Sequence, residues 1–159
     1  MNQDDLNAIQ LREAGNFSSI LNVDPLLTDY YQFSMLYAYW KSNTHNKYTV
    51  FDLFFRKNPF KGEYTVFAGL SDCLRYLQNF KITNNHIKEL KLQMTHCEDE
   101  FWIFLSTLDC SQVKVYALEE GKLCFPSTPL LRIEGPLGIC QLLETTLLVL
   151  VNFASLVAT

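Results

Sequence analysis

The chain has no glycine-rich phosphate loop: neither G-x-G-x-x-G nor G-K-[ST] occurs anywhere in its 159 residues. Two common ways of cradling a nucleotide phosphate on backbone amides are therefore excluded. It also lacks a basic run. Thirteen Lys and Arg stand against seventeen Asp and Glu, for a net charge of -4. The densest cationic spot is Arg56-Lys57 with Lys61 nearby. Nucleic-acid surfaces need clustered cations to neutralise phosphates, so no nucleic-acid partner is expected. There is no C-x-x-C. The five cysteines, Cys73, Cys97, Cys110, Cys124 and Cys140, are odd in number and widely spaced. That spacing does not suit a tetrahedral zinc site, and no metal site is expected. Free, mostly core-lining thiols in a reducing compartment are the expectation. His45, His86 and His96 share no spacing with each other or with an acid that suggests a catalytic triad, and are read as surface or cap positions. Met1-Asn2-Gln3-Asp4-Asp5 carries acid where a secretory leader carries base, and no apolar segment follows. A cytoplasmic protein is expected. Internal repeats and low-complexity tracts are absent as well.

What the chain does have is apolar material. It is 48% hydrophobic and 14% aromatic, enough for one core. The one long apolar stretch is 136–159, interrupted by Gln141, Glu144 and Asn152. A charge at the centre of a bilayer costs about 2.5–3.5 kcal/mol on the insertion scale, so a buried helix is favoured over a membrane span and no membrane partner is expected. A small membrane protein anchored by 136–159 is the weaker rival.

Local signals place the elements. Residues 1–22 are polar and mixed, and a disordered tail is expected. Thr28 or Asp29 caps a helix that runs to about Lys41, with Asp29 and Gln32 spaced as a capping box. That helix is apolar almost all round, which predicts burial or sharing with a partner chain. Residues 48–56 and 64–68 read as strands joined by the turn residues Asn58-Pro59-Phe60-Lys61-Gly62, which predicts a hairpin. Ser71 is positioned to cap the next helix, and Thr83 the one after it. Glu98-Asp99-Glu100 starts a further helix, where acids suit the positive end of the dipole. Residues 113–118 and 122–125 read as strands. Pro126-Ser127-Thr128-Pro129 interrupts the second, which resumes over 130–134. Gly135-Pro136 then opens the last helix. The order is an α+β mixture rather than a regular alternation.

Four blocks in this order carry a family resemblance. They are Leu26-Leu27-Thr28-Asp29-Tyr30-Tyr31-Gln32, Phe51 to Phe60, Val66-Phe67-Ala68-Gly69-Leu70, and Gln141-Leu142-Leu143-Glu144-Thr145 with Leu150 to Thr159. From about Leu26 onward the chain resembles the opening part of a nicotinate phosphoribosyltransferase. The resemblance implies the N-terminal sheet-and-helix domain of a type II phosphoribosyltransferase over 23–135. Residues 136–159 would then be a long helix leading into an α/β barrel domain that is cut off. It also implies conversion of nicotinate and phosphoribosyl pyrophosphate, with ATP and Mg²⁺, to nicotinate mononucleotide in NAD salvage. A homodimer is implied for the complete protein. The family's phosphate loops and phosphorylated histidine belong to the barrel, so no catalytic residue and no residue for Mg²⁺ or ATP is assigned in this chain.

The site residue the resemblance implies is Tyr31. The tyrosine of the T-D-x-Y motif helps to hold the nicotinate ring, and a neighbouring subunit can supply it. An aromatic face suits an electron-poor pyridine ring. The family usually has an aliphatic residue where this chain has Tyr30. Arg56 is the best carboxylate-binding candidate in the cationic turn, and the ordinary alternative is a solvated turn with Arg56 paired to an acid. Glu144, set in an apolar helix, is expected to pair with a group on a neighbouring element. The last helix shows no glycine, asparagine or proline cap, which reads as truncation. The isolated chain is accordingly expected to be inactive. The alternative is a truncated, non-catalytic interaction subunit that pairs with a full-length enzyme.

Overall fold

The computed structural model describes residues 23–159, and the tail expected over 1–22 lies outside the described residues. The elements are α1 (Tyr30–Lys41), β1 (Tyr48–Leu53), a 3-10 turn (Pro59–Lys61), β2 (Thr65–Val66), α2 (Leu70–Asn79), α3 (Asn84–Gln93) and α4 (Asp99–Thr107). They continue through β3 (Lys114–Ala117), β4 (Leu123–Cys124) and β5 (Leu131–Pro136) to α5 (Leu137–Ala158). Mixed helix and sheet is the architecture expected.

Helix α5 is the centre of the fold. It spans 22 residues and packs against α1, α2, β1, β2 and β5. Ile139, Leu142, Leu143, Leu147 and Val151 are buried along it, while Leu148, Val149, Phe153, Leu156 and Val157 are exposed. By length and composition α5 could cross a membrane, and half of its most apolar stretch is buried inside this fold. The expectation of a buried helix therefore describes one side of α5. Burial of five large aliphatic side chains, at roughly 1.5–3 kcal/mol each, is ample to hold its neighbours in place.

The main sheet is antiparallel in the order β1-β5-β3. In β5 the buried residues Leu131, Ile133 and Gly135 alternate with Arg132 and Glu134 on the other face. Arg132 grips Asp52 with two bonds of 2.9 and 3.3 Å across the β1–β5 pair. Strands β2 and β4 form a separate two-stranded sheet.

This pairing corrects two expectations. Residues 48–68 do not form a hairpin. β1 pairs with β5 from Tyr48↔Pro136 to Leu53↔Leu131, and β2 pairs with β4. The intervening turn holds Phe60 and Lys61 at φ 57° and 58° and leads the chain away to the second sheet instead of folding it back. Nor does β5 resume β4: the two lie in different sheets, separated by a turn with Ser127 at φ 61°. Proximity along the chain predicted both pairings. Burial of the alternating β5 residues against α5 decided otherwise.

Caps follow the sequence in part. Thr83 caps α3 as expected, with its Oγ1 accepting from the His86 amide at 3.3 Å while its own amide donates to His86 Nδ1 at 3.1 Å. Ser71 does not cap α2. The N-cap is Gly69 at φ +98°, and a Cβ there would sit 2.8 Å from the Leu150 carbonyl oxygen of α5. Only glycine allows both that backbone and that approach. The orphan amides of Gly69 and Leu70 donate to Glu120 Oε1 at 2.6 and 2.8 Å, and the Ser71 hydroxyl donates to Glu120 Oε2 at 3.1 Å. A carboxylate from a distant turn thus caps the helix dipole. At the end of α5 the Thr159 hydroxyl donates to the Ser155 carbonyl and accepts from the Val66 amide at 3.0 Å, which ties this turn to β2.

Asp99 and Glu100 occupy the first turn of α4 as expected, behind the N-cap residue Glu98. The Glu98 carboxylate accepts from Lys41 Nζ and, at 2.7 Å, from the Tyr37 hydroxyl, which ties α4 to α1. The Lys41 hydrogen bond first, and then that of Tyr37, pull the carboxyl from its ordinary 4.5 down to about 2. A folded-state pKa below the unfolded one means that the stabilisation is complete above about pH 4.5 and is lost as pH falls towards 2. Glu98→Gln is therefore expected to flatten the dependence of stability on pH across that acid window. Urea-unfolding midpoints at several pH values check this, and an unchanged slope would contradict it.

Candidate functional site

The polar residues of α5 gather on the side that meets α1. Close contact between the two helices begins at Gly138, where a Cβ would lie 2.8 Å from Leu36 Cδ1. One turn on, Gln141, Glu144 and Thr145 fall at helical spacing on a common face. The Thr145 hydroxyl donates to Asp29 Oδ2 at 3.1 Å, and the neighbouring Thr146 hydroxyl donates to the Leu27 carbonyl at 2.7 Å. The segment leading into α1 is thereby stitched to α5. Asp24 shapes that segment from the other end, its Oδ1 accepting from the Leu26 amide at 2.7 Å.

Tyr31 stands at the edge of this face, 44% exposed. Its hydroxyl donates to Glu144 Oε2 at 3.2 Å and accepts from Gln32 Nε2 at 2.8 Å. Glu144 Oε2 also takes Gln32 Nε2 at 2.8 Å and Gln141 Nε2 at 3.0 Å. Gln141 Nε2 reaches Gln32 Oε1 at 2.6 Å. Both amides are buried, Gln32 completely. The pairing expected for Glu144 is present, and its partners are the first turn of α1 and Gln141 of its own helix. Desolvation first, and then the Glu144 carboxylate, raise the Tyr31 phenol above its usual range. Tyr31 therefore presents a neutral aromatic ring with its hydroxyl held, beside two carboxylates. Tyr30, also exposed at 47%, joins none of these bonds.

The expected capping box is absent. Asp29 is the N-cap residue, but its side chain makes no cap bond. Asp29 turns to Thr145 and Gln32 to Glu144, because α5 offers charged and hydroxyl partners that outcompete a local amide. The sequence reading thus assigned Gln32 to the wrong task, and treated Gln141 only as an interruption of an apolar helix. The available signal was a glutamine three residues before a glutamate on an otherwise apolar helix, facing a second helix with one buried-side glutamine.

The other candidates stand apart from this cluster. Arg56, Lys57 and Lys61 are exposed. Among the described residues none of the three makes an ion pair, so the acid partner expected for Arg56 is not found. His86 is a cap residue and His96 is exposed, as expected. His45 is only half-exposed. Its ring meets Phe104 edge-on at 4.7 Å, its Nδ1 is buried without a partner, and its carbonyl accepts from the Gly138 amide at 2.8 Å. The five cysteines are free. Burial pushes Cys73 and Cys110 up to about 12 and Cys140 to about 11, which makes them packing residues and not nucleophiles. Among the described residues no three of His, Cys, Asp and Glu gather as metal ligands.

Residues 26–152 match the family model of the nicotinate phosphoribosyltransferase (NAPRTase) N-terminal domain. The chain belongs to the nicotinate phosphoribosyltransferase family. Nicotinate phosphoribosyltransferase 2 of Arabidopsis thaliana is 58% identical over 137 residues, covering 86% of this chain and 25% of that protein. The Caenorhabditis elegans nicotinate phosphoribosyltransferase is 56% identical over 138 residues, with 86% and 25% covered. The crystal structure of human nicotinic acid phosphoribosyltransferase superposes with a TM-score of 0.77 at 45% identity, covering 83% of this chain and 27% of that one. The chain spans about a quarter of the length of the curated relatives it matches. The fold expected by resemblance, a mixed helix-and-sheet N-terminal domain of this family, is the one observed.

Glu144 acts on Tyr31 by charge as well as by hydrogen bond. Removing that charge removes a cause that raises the phenol's pKa, so Glu144→Gln is expected to lower it. NMR titration of the Tyr31 Cζ carbon measures the shift, and an unmoved or higher pKa would contradict the pairing.

Proposed function

We propose that this chain is the N-terminal part of an enzyme that joins nicotinate to phosphoribosyl pyrophosphate, forming nicotinate mononucleotide in NAD salvage with coupling to ATP hydrolysis. The observation that carries the proposal is family membership combined with an exposed, hydrogen-bonded Tyr31 at the T-D-x-Y motif. In this reading the ring of Tyr31 lies against the nicotinate ring and holds it for attack of the pyridine nitrogen on C1 of the phosphoribosyl donor. The gain is orientation, which converts an encounter into a near-attack arrangement. The remaining three-quarters of the family's length supplies the phosphate loops, the phosphorylated histidine and the Mg²⁺ site. The described residues offer no carboxylate cluster that fits Mg²⁺, and no step is assigned to a metal here. A cytoplasmic homodimer, with Tyr31 serving the partner's site, completes the proposal.

Tyr31→Ala, made in a polypeptide of the relatives' full length that carries this segment, is expected to raise the nicotinate KM by up to about tenfold, the range of one aromatic pair. The KM for phosphoribosyl pyrophosphate should change little. Steady-state kinetics check this, and an unchanged nicotinate KM would remove Tyr31 from the site.

A second proposal concerns the segment by itself: the purified 159-residue chain is inactive, because it spans only about a quarter of the relatives' length and the family's phosphate loops belong to the remainder. An assay with nicotinate, phosphoribosyl pyrophosphate and ATP tests it, and clear turnover would refute it. The exposed apolar side of α5, with Phe153 at 69% and Val157 at 72% exposure, supports the further reading that such a segment pairs with a full-length subunit. Co-purification of the two chains as a stable heteromer is the outcome that reading requires.

A further inference from the structure

We infer that Gln32 is a positioning residue for the ring site: its fully buried amide, locked by Gln141, fixes the Tyr31 hydroxyl on Glu144 and thereby anchors the far end of the Tyr31 ring. The inference rests on the proposed role of Tyr31 in holding the nicotinate ring.

Four observations carry it. First, Gln32 is 0% exposed although it directly follows a tyrosine that is 44% exposed. A buried amide is tolerated only when its hydrogen bonds are made, and here they are. Second, the amide's two ends face different partners. Oε1 accepts from Gln141 Nε2 at 2.6 Å, which leaves Nε2 directed at the Tyr31 hydroxyl and Glu144 Oε2, both at 2.8 Å. The Gln141 contact thus determines which way the Gln32 amide is turned. Third, the Tyr31 hydroxyl is engaged in both senses, donating to Glu144 and accepting from Gln32. A phenol with both functions used cannot swing without breaking a bond to a charged group. Fourth, the cradle is built from two helices packed face to face, so its geometry comes from α1 and α5 and not from a loop. An exposed aromatic ring that must stack on a flat ligand needs such a restraint, since swinging of the side chain about its Cα–Cβ bond otherwise dissipates the position.

The test is a double-mutant cycle in a polypeptide of the relatives' full length carrying this segment. Gln32→Met keeps the volume and removes the hydrogen bonds. It is expected to raise the nicotinate KM about five- to tenfold, with kcat and the KM for phosphoribosyl pyrophosphate within about twofold. In a Tyr31→Phe background, which keeps the ring but has no hydroxyl to hold, the same change should raise it less than about twofold. Equal factors in both backgrounds would overturn the proposal, because Gln32 would then act through packing alone. So would no effect in either. Should Gln32→Met not fold, Gln141→Met is run through the same cycle against the same thresholds, since it frees the Gln32 amide to turn. Tyr31→Ala is measured alongside. If it leaves the nicotinate KM unchanged, the ring-holding role fails and this inference falls with it. If Tyr31→Ala weakens nicotinate binding while the cycle is additive, only the positioning role of Gln32 is lost.

Discussion

Burial of one side of α5 is the constraint on which the rest of the structure depends. Helices α1 and α2 and strands from both sheets lie against it. The contact is close enough at Gly69 and Gly138 that a single methyl group would collide with the Leu150 carbonyl or the Leu36 side chain. Interiors packed to this density transmit displacement, so a shift of α5 would move the Tyr31 face and the sheets together. The two small sheets have little cohesion of their own. β2 and β4 contribute only two residues each, and they stay in place because Ala68 is held by the Ser155 hydroxyl and Gly69 by Glu120.

Into this apolar contact the chain introduces one polar row, Gln141, Glu144, Thr145 and Thr146. Every member finds a partner in the segment from Leu27 to Gln32. Polar groups cost little in a core when they are fully satisfied, and they fix orientation in a way that aliphatic packing does not. Leucines alone would allow α1 to rotate or slide on α5 by small steps. The row permits one register. Two of the four blocks that carry the family resemblance, Leu26 to Gln32 and Gln141 to Thr145, are thus two halves of a single contact, separated by more than a hundred residues.

Elements set by local chemistry were legible in the sequence. Thr83 caps α3, the acids at 98–100 begin α4, and α1 ends at Lys41. Elements set by distant partners were not. The strand pairings were misassigned because β1 finds β5 some eighty residues away, and nothing in residues 48–56 names that partner. Asp29 and Gln32 have the spacing of a capping box, and the local rule was right about the residue types but blind to Glu144. Ser71 is a good capping residue by type, yet Gly69 and Glu120 cap the helix because α5 comes too near for a side chain. The family was readable from four ordered blocks. The cradle beneath Tyr31 was not, because glutamines inside helices look like interruptions until their partners are seen.

The bare side of α5 has a practical bearing on handling this segment. Leu148, Val149, Phe153, Leu156 and Val157 are all exposed on one helix, and a net charge of -4 spread over 159 residues opposes their coalescence only weakly. At physiological ionic strength charges are screened beyond about 8 Å. Lowering the salt lengthens that reach, to about 30 Å at 0.01 M, and lets the like charge act between molecules. Cooling acts on the other side of the balance, because the attraction between greasy surfaces fades as water is chilled.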